Sequence, residues 1–107
     1  SSDGARLGKN VGDDLNEGKP TLPLLHAMQH GSAEQSAMIR GAIEQGNGRH
    51  LLEAVLETMA ACGSLEWTQK RAEEEADKAI AALQVLPESP WREALIGLAH
   101  IAVQRDH

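Results

Sequence analysis

Charged residues and glycines alternate closely in one stretch near the start of the chain, LGKNVGDDLNEGKPTLP, which covers residues 7–23. Lys9 and Lys19 carry mobile positive charges suited to phosphate oxygens. The adjacent carboxylates of Asp13 and Asp14 supply the hard oxygen atoms that a divalent cation prefers. Lysines, carboxylates and glycines together therefore predict a site for an anionic, metal-chelated ligand such as a diphosphate.

The spacing of these residues excludes two common motifs. A P-loop needs glycine, four residues, and then Gly-Lys followed by serine or threonine; Gly12 lies one residue too far from Gly18, and Pro20 follows Lys19. An EF-hand loop starting at Asp14 would need glycine where Lys19 stands. A solvated loop that binds nothing is the simpler alternative for residues of these types.

A longer run, GKNVGDDLNEGKPTLPLLHAM, resembles the segment that follows the second aspartate-rich motif of trans-polyprenyl diphosphate synthases. That segment has the pattern G-K-x-x-G-x-D-x-x-x-G-K-x-T-x-P, and its fixed positions are filled here by Gly8, Lys9, Gly12, Asp14, Gly18, Lys19, Thr21 and Pro23. Three later stretches, AIEQGNGRHLLEAVLE, LEWTQKRAEEEADKAIAALQVLP and WREALIGLAHIAVQRD, resemble the closing helices of such enzymes. The resemblance covers essentially the whole chain.

This resemblance implies an all-α chain that forms the C-terminal antiparallel helices of the isoprenoid synthase fold. Residues 1–107 would be one segment, with a diphosphate-binding loop region over 1–21 and a helical array over 22–107. The implied activity is a transferase that elongates an allylic diphosphate with isopentenyl diphosphate, giving a long all-trans polyprenyl diphosphate for quinone side chains. Mg²⁺, the N-terminal remainder of the synthase and a second copy in a homodimer are the implied cofactor and partners.

The sequence departs from the family in its metal ligands. Family members hold magnesium with two D-D-x-x-D motifs, and this sequence contains neither, because Leu-Asn-Glu follows Asp13-Asp14. We therefore expect a C-terminal piece that is inactive alone and contains no catalytic residue. By the resemblance, Lys9 binds the leaving diphosphate, and Asp14 and Asp13 lie at most in the outer shell of a metal. Lys19 either lies near the diphosphate or pairs with Asp13 or Glu17.

Apolar periodicity and capping residues predict helices throughout the chain. Leu7, Val11 and Leu15 recur every fourth residue, which favours a short helix that exposes the acidic pair. Capping residues mark later helix starts, predicted at Thr21, Ser32, Ser64 and Ser89-Pro90, and glycines mark helix ends, predicted at Gly31, Gly46 and Gly63. Ser32 and Gln35 have the spacing of a capping box. We expect the last helix to bury Leu95, Leu98 and Ala102, with Trp91 anchoring its start.

Two further groups of polar residues have simple structural interpretations. His26 and His30 are four residues apart, a spacing that can bind zinc, but no third ligand is in sight and surface or packing histidines are preferred. Arg49 and His50 follow a Gly-Asn-Gly turn and are expected to be ordinary polar residues beside it, with contact to a substrate as the less favoured alternative.

Composition limits the classes of partner. A net charge of −6 disfavours binding to nucleic acid or to an anionic membrane surface. The single cysteine, Cys62, suits a reducing cytosol, so a cytoplasmic protein is expected. The uncharged run over residues 94–104 is shorter than the roughly 20 residues that a membrane-spanning helix needs. The alternative function, from a different class, is a noncatalytic helical module that binds another protein.

Overall fold

Helices account for most of the chain in the computed structural model, which describes residues 2–104. Six α-helices and one 3-10 turn are found among these residues: α1 (Ser2–Glu17), α2 (Leu22–His30), α3 (Ala33–Gln45), the 3-10 turn (Gly48–Leu51), α4 (Leu52–Cys62), α5 (Ser64–Leu83) and α6 (Pro90–Gln104). No strand occurs in this part of the chain. The all-α class predicted from the sequence is confirmed.

The chain divides into two compact units, Ser1–Trp67 and Thr68–His107. The first unit contains α1 to α4 with the first residues of α5, and the second contains the rest of α5 and α6. The interpretation of 1–107 as a single segment stays a prediction.

Residues 2–17 are helical, which corrects the description of 1–21 as a loop region. Val11 and Leu15 lie in the core, as the four-residue spacing predicts. Each glycine inside a helix costs about 1 kcal/mol relative to alanine, whereas burying a valine or leucine side chain contributes about 1.5–3 kcal/mol. Burial therefore outweighs the glycines. Only residues 18–21 form a link, and it turns at Gly18, where φ is +68° and an added Cβ would lie 2.7 Å from the Ile43 carbonyl oxygen.

The core of the first unit is built from four helices. Its buried apolar residues are Val11 and Leu15 from α1, Leu24 and Ala27 from α2, Ile39 and Ala42 from α3, and Val55 and Met59 from α4. The predicted capping box at Ser32 is confirmed, because its hydroxyl accepts from the Gln35 amide at 3.1 Å and the Gln35 side chain accepts from the Ser32 amide at 2.8 Å. Thr21 is the N-cap of α2, but its side chain makes no capping hydrogen bond.

The 3-10 turn packs tightly on α3 through Gly48. An added Cβ at Gly48 would lie 2.6 Å from the Ala42 Cβ and 3.0 Å from its Cα. Both residues are buried. Glycine at this position therefore sets how closely the turn approaches α3.

In the second unit, α6 starts as predicted, because the Ser89 hydroxyl accepts from the Arg92 amide at 3.1 Å. The prediction that this helix buries an apolar stripe is wrong. Trp91 is 80% exposed, Leu98 60% and Leu95 46%, and Ala102 is exposed as well. Periodicity shows which side chains share a face of a helix, but it does not show that another element covers that face.

Replacing Gly48 by alanine tests the close approach of the turn to α3. We expect Gly48→Ala to lower the free energy of unfolding by about 1–3 kcal/mol, because the new methyl group overlaps Ala42 and overpacks the core. Urea unfolding followed by circular dichroism measures this change.

Gly41→Ala is the matched control. Gly41 lies within α3, and an added Cβ there meets nothing within 4 Å. This substitution should leave stability unchanged or raise it by up to about 1 kcal/mol through helix propensity. Equal losses at the two positions would contradict the packing argument.

Candidate functional site

Lys9 lies on the solvent side of α1. With 3.6 residues per turn, a lysine at position 9 falls roughly opposite Val11, which is buried. The Lys9 side chain is exposed, and within residues 2–104 no ion pair or hydrogen bond involves it. Its ammonium group is therefore available to an anionic ligand.

Asp13 is bound by Arg49, a residue that the sequence predicts to lie beside a turn, with contact to a substrate as the less favoured alternative. Arg49 Nη2 donates to Asp13 Oδ1 at 2.8 Å, and the two side chains are 57% and 45% exposed. Asp13 makes no ion pair with Lys9 or Lys19 in the described part of the chain. The two residues are 36 positions apart, and only the Gly-Asn-Gly turn before Arg49 marks its position in the sequence.

Asp14 is half-buried and lies near Lys19. Burial raises the pKa of Asp14 above its ordinary value of 3.8; the charge of Lys19 opposes this shift, and the charges of Glu17 and Asp13 add to it. The Lys19 amide donates to the Asp14 carbonyl oxygen at 2.8 Å, which closes the end of α1. Successive residues on a helix diverge by about 100°. The adjacent carboxylates therefore have different nearest partners, although the charge of Asp13 still acts on Asp14.

The described residues contain no group of three or more His, Cys, Asp or Glu side chains that could hold a metal ion. Asp13 is also bound by Arg49. These residues do not fit a primary Mg²⁺ site. The sequence expectation that Asp13 and Asp14 would lie at most in an outer shell stays a prediction.

Of the two histidines of α2, His26 is buried and His30 is exposed. His26 is 8% exposed, and its Nδ1 lies 2.8 Å from the Ser64 hydroxyl. The His26 ring stacks on Trp67 with the ring centroids 4.7 Å apart, and its centroid lies 4.3 Å from that of His30. His26 thus connects α2 to the first turn of α5, in agreement with a packing role.

Ser64 differs from its predicted role. The sequence places it as the cap before the longest helix, but it is the first residue of α5 and is fully buried. Its hydroxyl contacts His26, which lies 38 residues earlier in the chain. The local sequence identifies a serine at a helix start but carries no sign of this distant partner.

A sequence model of the family "Polyprenyl synthetase" matches residues 1–59, which include α1, the Asp13–Arg49 pair and Lys19. The chain belongs to this family. The resemblance seen in the glycine and lysine pattern near the start of the sequence is thereby confirmed.

Curated relatives match almost the whole chain. It is 84% identical over 106 residues to octaprenyl diphosphate synthase of Escherichia coli, covering 99% of this chain and 33% of that protein. It is 49% identical over 105 residues to an all-trans-nonaprenyl-diphosphate synthase (geranyl-diphosphate specific) of Rhodobacter capsulatus, and the match covers 98% of this chain and 32% of that protein. It is 32% identical over 102 residues to a geranylgeranyl pyrophosphate synthase of Geoglobus acetivorans, and the match covers 95% of this chain and 30% of that protein. The chain thus spans about a third of the length of these relatives.

Among residues 2–104, no helix combines the length and the apolar character needed to cross a bilayer.

The buried position of His26 predicts a pH dependence of stability. Burial, and to a smaller extent the charge of His30, lowers the pKa of His26 below its ordinary value of 6.5. The unfolded chain therefore binds this proton more readily than the folded chain. The free energy of unfolding should fall as the pH drops below 6.5 and should level off below the folded pKa.

Urea unfolding at a series of pH values, for the chain and for His26→Gln, measures this effect. The variant should lose the part of the pH dependence that begins near pH 6.5. His100→Gln, at an exposed position of α6, is the control for removing an imidazole and should retain it. Identical profiles for the chain and His26→Gln would contradict the assignment.

Proposed function

We propose that this chain is part of a longer prenyltransferase that elongates an allylic diphosphate with isopentenyl diphosphate to a long all-trans polyprenyl diphosphate. The observation that carries the proposal is the exposed, unpaired Lys9 on α1, within the stretch that matches the family. Identity of 84% to an octaprenyl diphosphate synthase supports an octaprenyl product, of the kind attached to quinones. A single cysteine is compatible with a cytoplasmic enzyme.

The role proposed for Lys9 is to stabilise the leaving diphosphate. When the bond between the allylic carbon and the diphosphate oxygen breaks, negative charge grows on the diphosphate and an allylic cation remains. The double bond of isopentenyl diphosphate then attacks this cation, and loss of a proton restores a neutral chain. A preorganised ammonium group lowers the free energy of the first step because it faces the charge that develops there.

Mg²⁺ is implied for the family as an additional positive charge on the diphosphate. Because the described residues do not form a primary metal site, its ligands would come from the remainder of the synthase. We propose Asp14 only as an outer-shell residue of the metal. Asp13 is likewise placed no closer than the outer shell, because its carboxylate is paired with Arg49. The remainder of the synthase, both substrates and a second copy in a homodimer are the proposed partners.

A chimera tests the proposed function directly. The matching 106-residue segment of the E. coli octaprenyl diphosphate synthase is replaced by this chain, and incorporation of labelled isopentenyl diphosphate is measured. The chimera should be active, whereas the chain alone should show no turnover because its described residues form no primary metal site. Turnover by the chain alone would contradict this division of roles.

Lys9→Gln in the active chimera tests the residue on which the proposal depends. A hydrogen bond to a charged group contributes about 1.5–3 kcal/mol, so kcat/KM should fall roughly 10- to 100-fold. Lys70→Gln, at an exposed position of α5, removes the same charge elsewhere and should leave kcat/KM unchanged. Full activity of Lys9→Gln would instead favour the noncatalytic interaction module.

Lys19→Gln tests whether Lys19 contacts diphosphate. Its other expected role, pairing with Asp13 or Glu17, does not occur within the described residues, where its charge acts on Asp14 instead. If Lys19 contacts diphosphate, we expect kcat/KM to fall by a factor similar to that seen for Lys9→Gln. If it only stabilises the end of α1 beside Asp14, the kinetic constants should be unchanged, and the pKa of Asp14 should rise because an attractive charge is lost. Kinetics and an NMR titration of the Asp14 carboxyl group measure the two effects.

A further inference from the structure

We infer that Arg49 is a positioning residue for the proposed reaction: by binding Asp13, it keeps that carboxylate from pairing with Lys9. The inference rests on the role proposed for Lys9. It assigns a function to a residue that lies outside the lysine and glycine pattern of α1.

The 3-10 turn, which packs against α1, places Arg49 beside that helix. Within the turn, Arg49 lies next to Gly48, which is buried against Ala42 of α3. On the other side, an added Cβ at Gly12 would lie 4.0 Å from the Arg49 Cγ and 3.4 Å from a Leu52 methyl group. The base of the arginine side chain is therefore packed over α1 one residue before Asp13. From this position the guanidinium group reaches the carboxylate at 2.8 Å.

Asp13 has a second cation within reach. Lys9 lies one turn earlier on the same face of α1, where residues four apart are neighbours and pair through their side chains. A lysine placed before an acid is the weaker orientation of such a pair, and the planar guanidinium group makes the better-directed hydrogen bond. Asp13 is found on Arg49, and Lys9 makes no ion pair within the described residues.

Loss of Arg49 would change the partner of Asp13. The carboxylate would then turn to Lys9, the remaining cation one turn away. A diphosphate would have to break that ion pair before it could bind the ammonium group. Arg49 thus keeps the Lys9 ammonium group unpaired without touching the ligand. Its effect on diphosphate binding therefore depends on both Asp13 and Lys9.

The experiment measures the affinity of the full-length chimera for inorganic pyrophosphate by isothermal titration calorimetry, with steady-state kinetics in parallel. An exposed ion pair contributes up to about 1 kcal/mol, so Arg49→Gln should weaken pyrophosphate binding roughly two- to fivefold. KM for the allylic diphosphate should rise more than kcat falls. Adding Asp13→Asn to Arg49→Gln should restore the affinity of Asp13→Asn alone, because no carboxylate is left to capture Lys9.

Lys9→Gln provides the second half of the test. In that background Arg49→Gln should have no further effect on pyrophosphate affinity. The matched control is Arg71→Gln, which removes a similarly exposed arginine from its ion pair with Glu75 on α5 and should leave binding unchanged.

Several outcomes would overturn the inference. If the double variant Arg49→Gln, Asp13→Asn binds pyrophosphate as weakly as Arg49→Gln does, the guanidinium group contacts the anion itself. If Arg49→Gln weakens binding equally in the Lys9→Gln background, its charge acts through space. If Arg49→Gln alone leaves pyrophosphate binding unchanged, the contact between Arg49 and Asp13 is only a surface ion pair. A Lys9→Gln chimera that binds pyrophosphate normally would instead refute the proposed function, and this result is distinct from the other three.

Discussion

Burial of Val11 and Leu15 is the constraint on which the geometry of the candidate site depends. These side chains hold residues 2–17 as a helix despite its internal glycines, and they fix which side of that helix faces the core. Once that side is fixed, helical rotation sets the direction of every charged residue on α1. Lys9 faces solvent, and the two adjacent aspartates diverge. A loop over the same residues would not separate them in this way.

The separated charges form three local environments along one helix. Lys9 has no partner among the described residues, Asp13 is neutralised by Arg49, and Asp14 is partly buried near Lys19. Surface ion pairs contribute little to stability, so the Asp13–Arg49 pair matters mainly for which charges remain available. This arrangement is compatible with anion binding at Lys9, whereas it does not supply a primary metal site.

The second unit shows the limit of periodicity as evidence for packing. The apolar residues of α6 recur at helical spacing, yet Trp91 and Leu98 are mostly exposed. By contrast, α1 has the same kind of pattern and its apolar face is buried, because α3, α4 and the 3-10 turn pack against it. In both helices, therefore, the spacing correctly predicts which apolar side chains share one face. Only the presence of neighbouring elements distinguishes a core face from an exposed one.

The sequence alone determined the all-α class, the capping box at Ser32, the helix ends at Gly46 and Gly63, and membership of the family, because each depends on residues close together in the chain. Tertiary structure decided that Arg49 binds Asp13 and that Ser64 contacts His26, because these partners are 36 and 38 residues apart. The packing of the Leu52 and Arg49 side chains over Gly12 of α1 brings the first pair together, and the packing of α2 against the start of α5 brings the second. Neither contact has a local signal, since it depends on how separate helices meet.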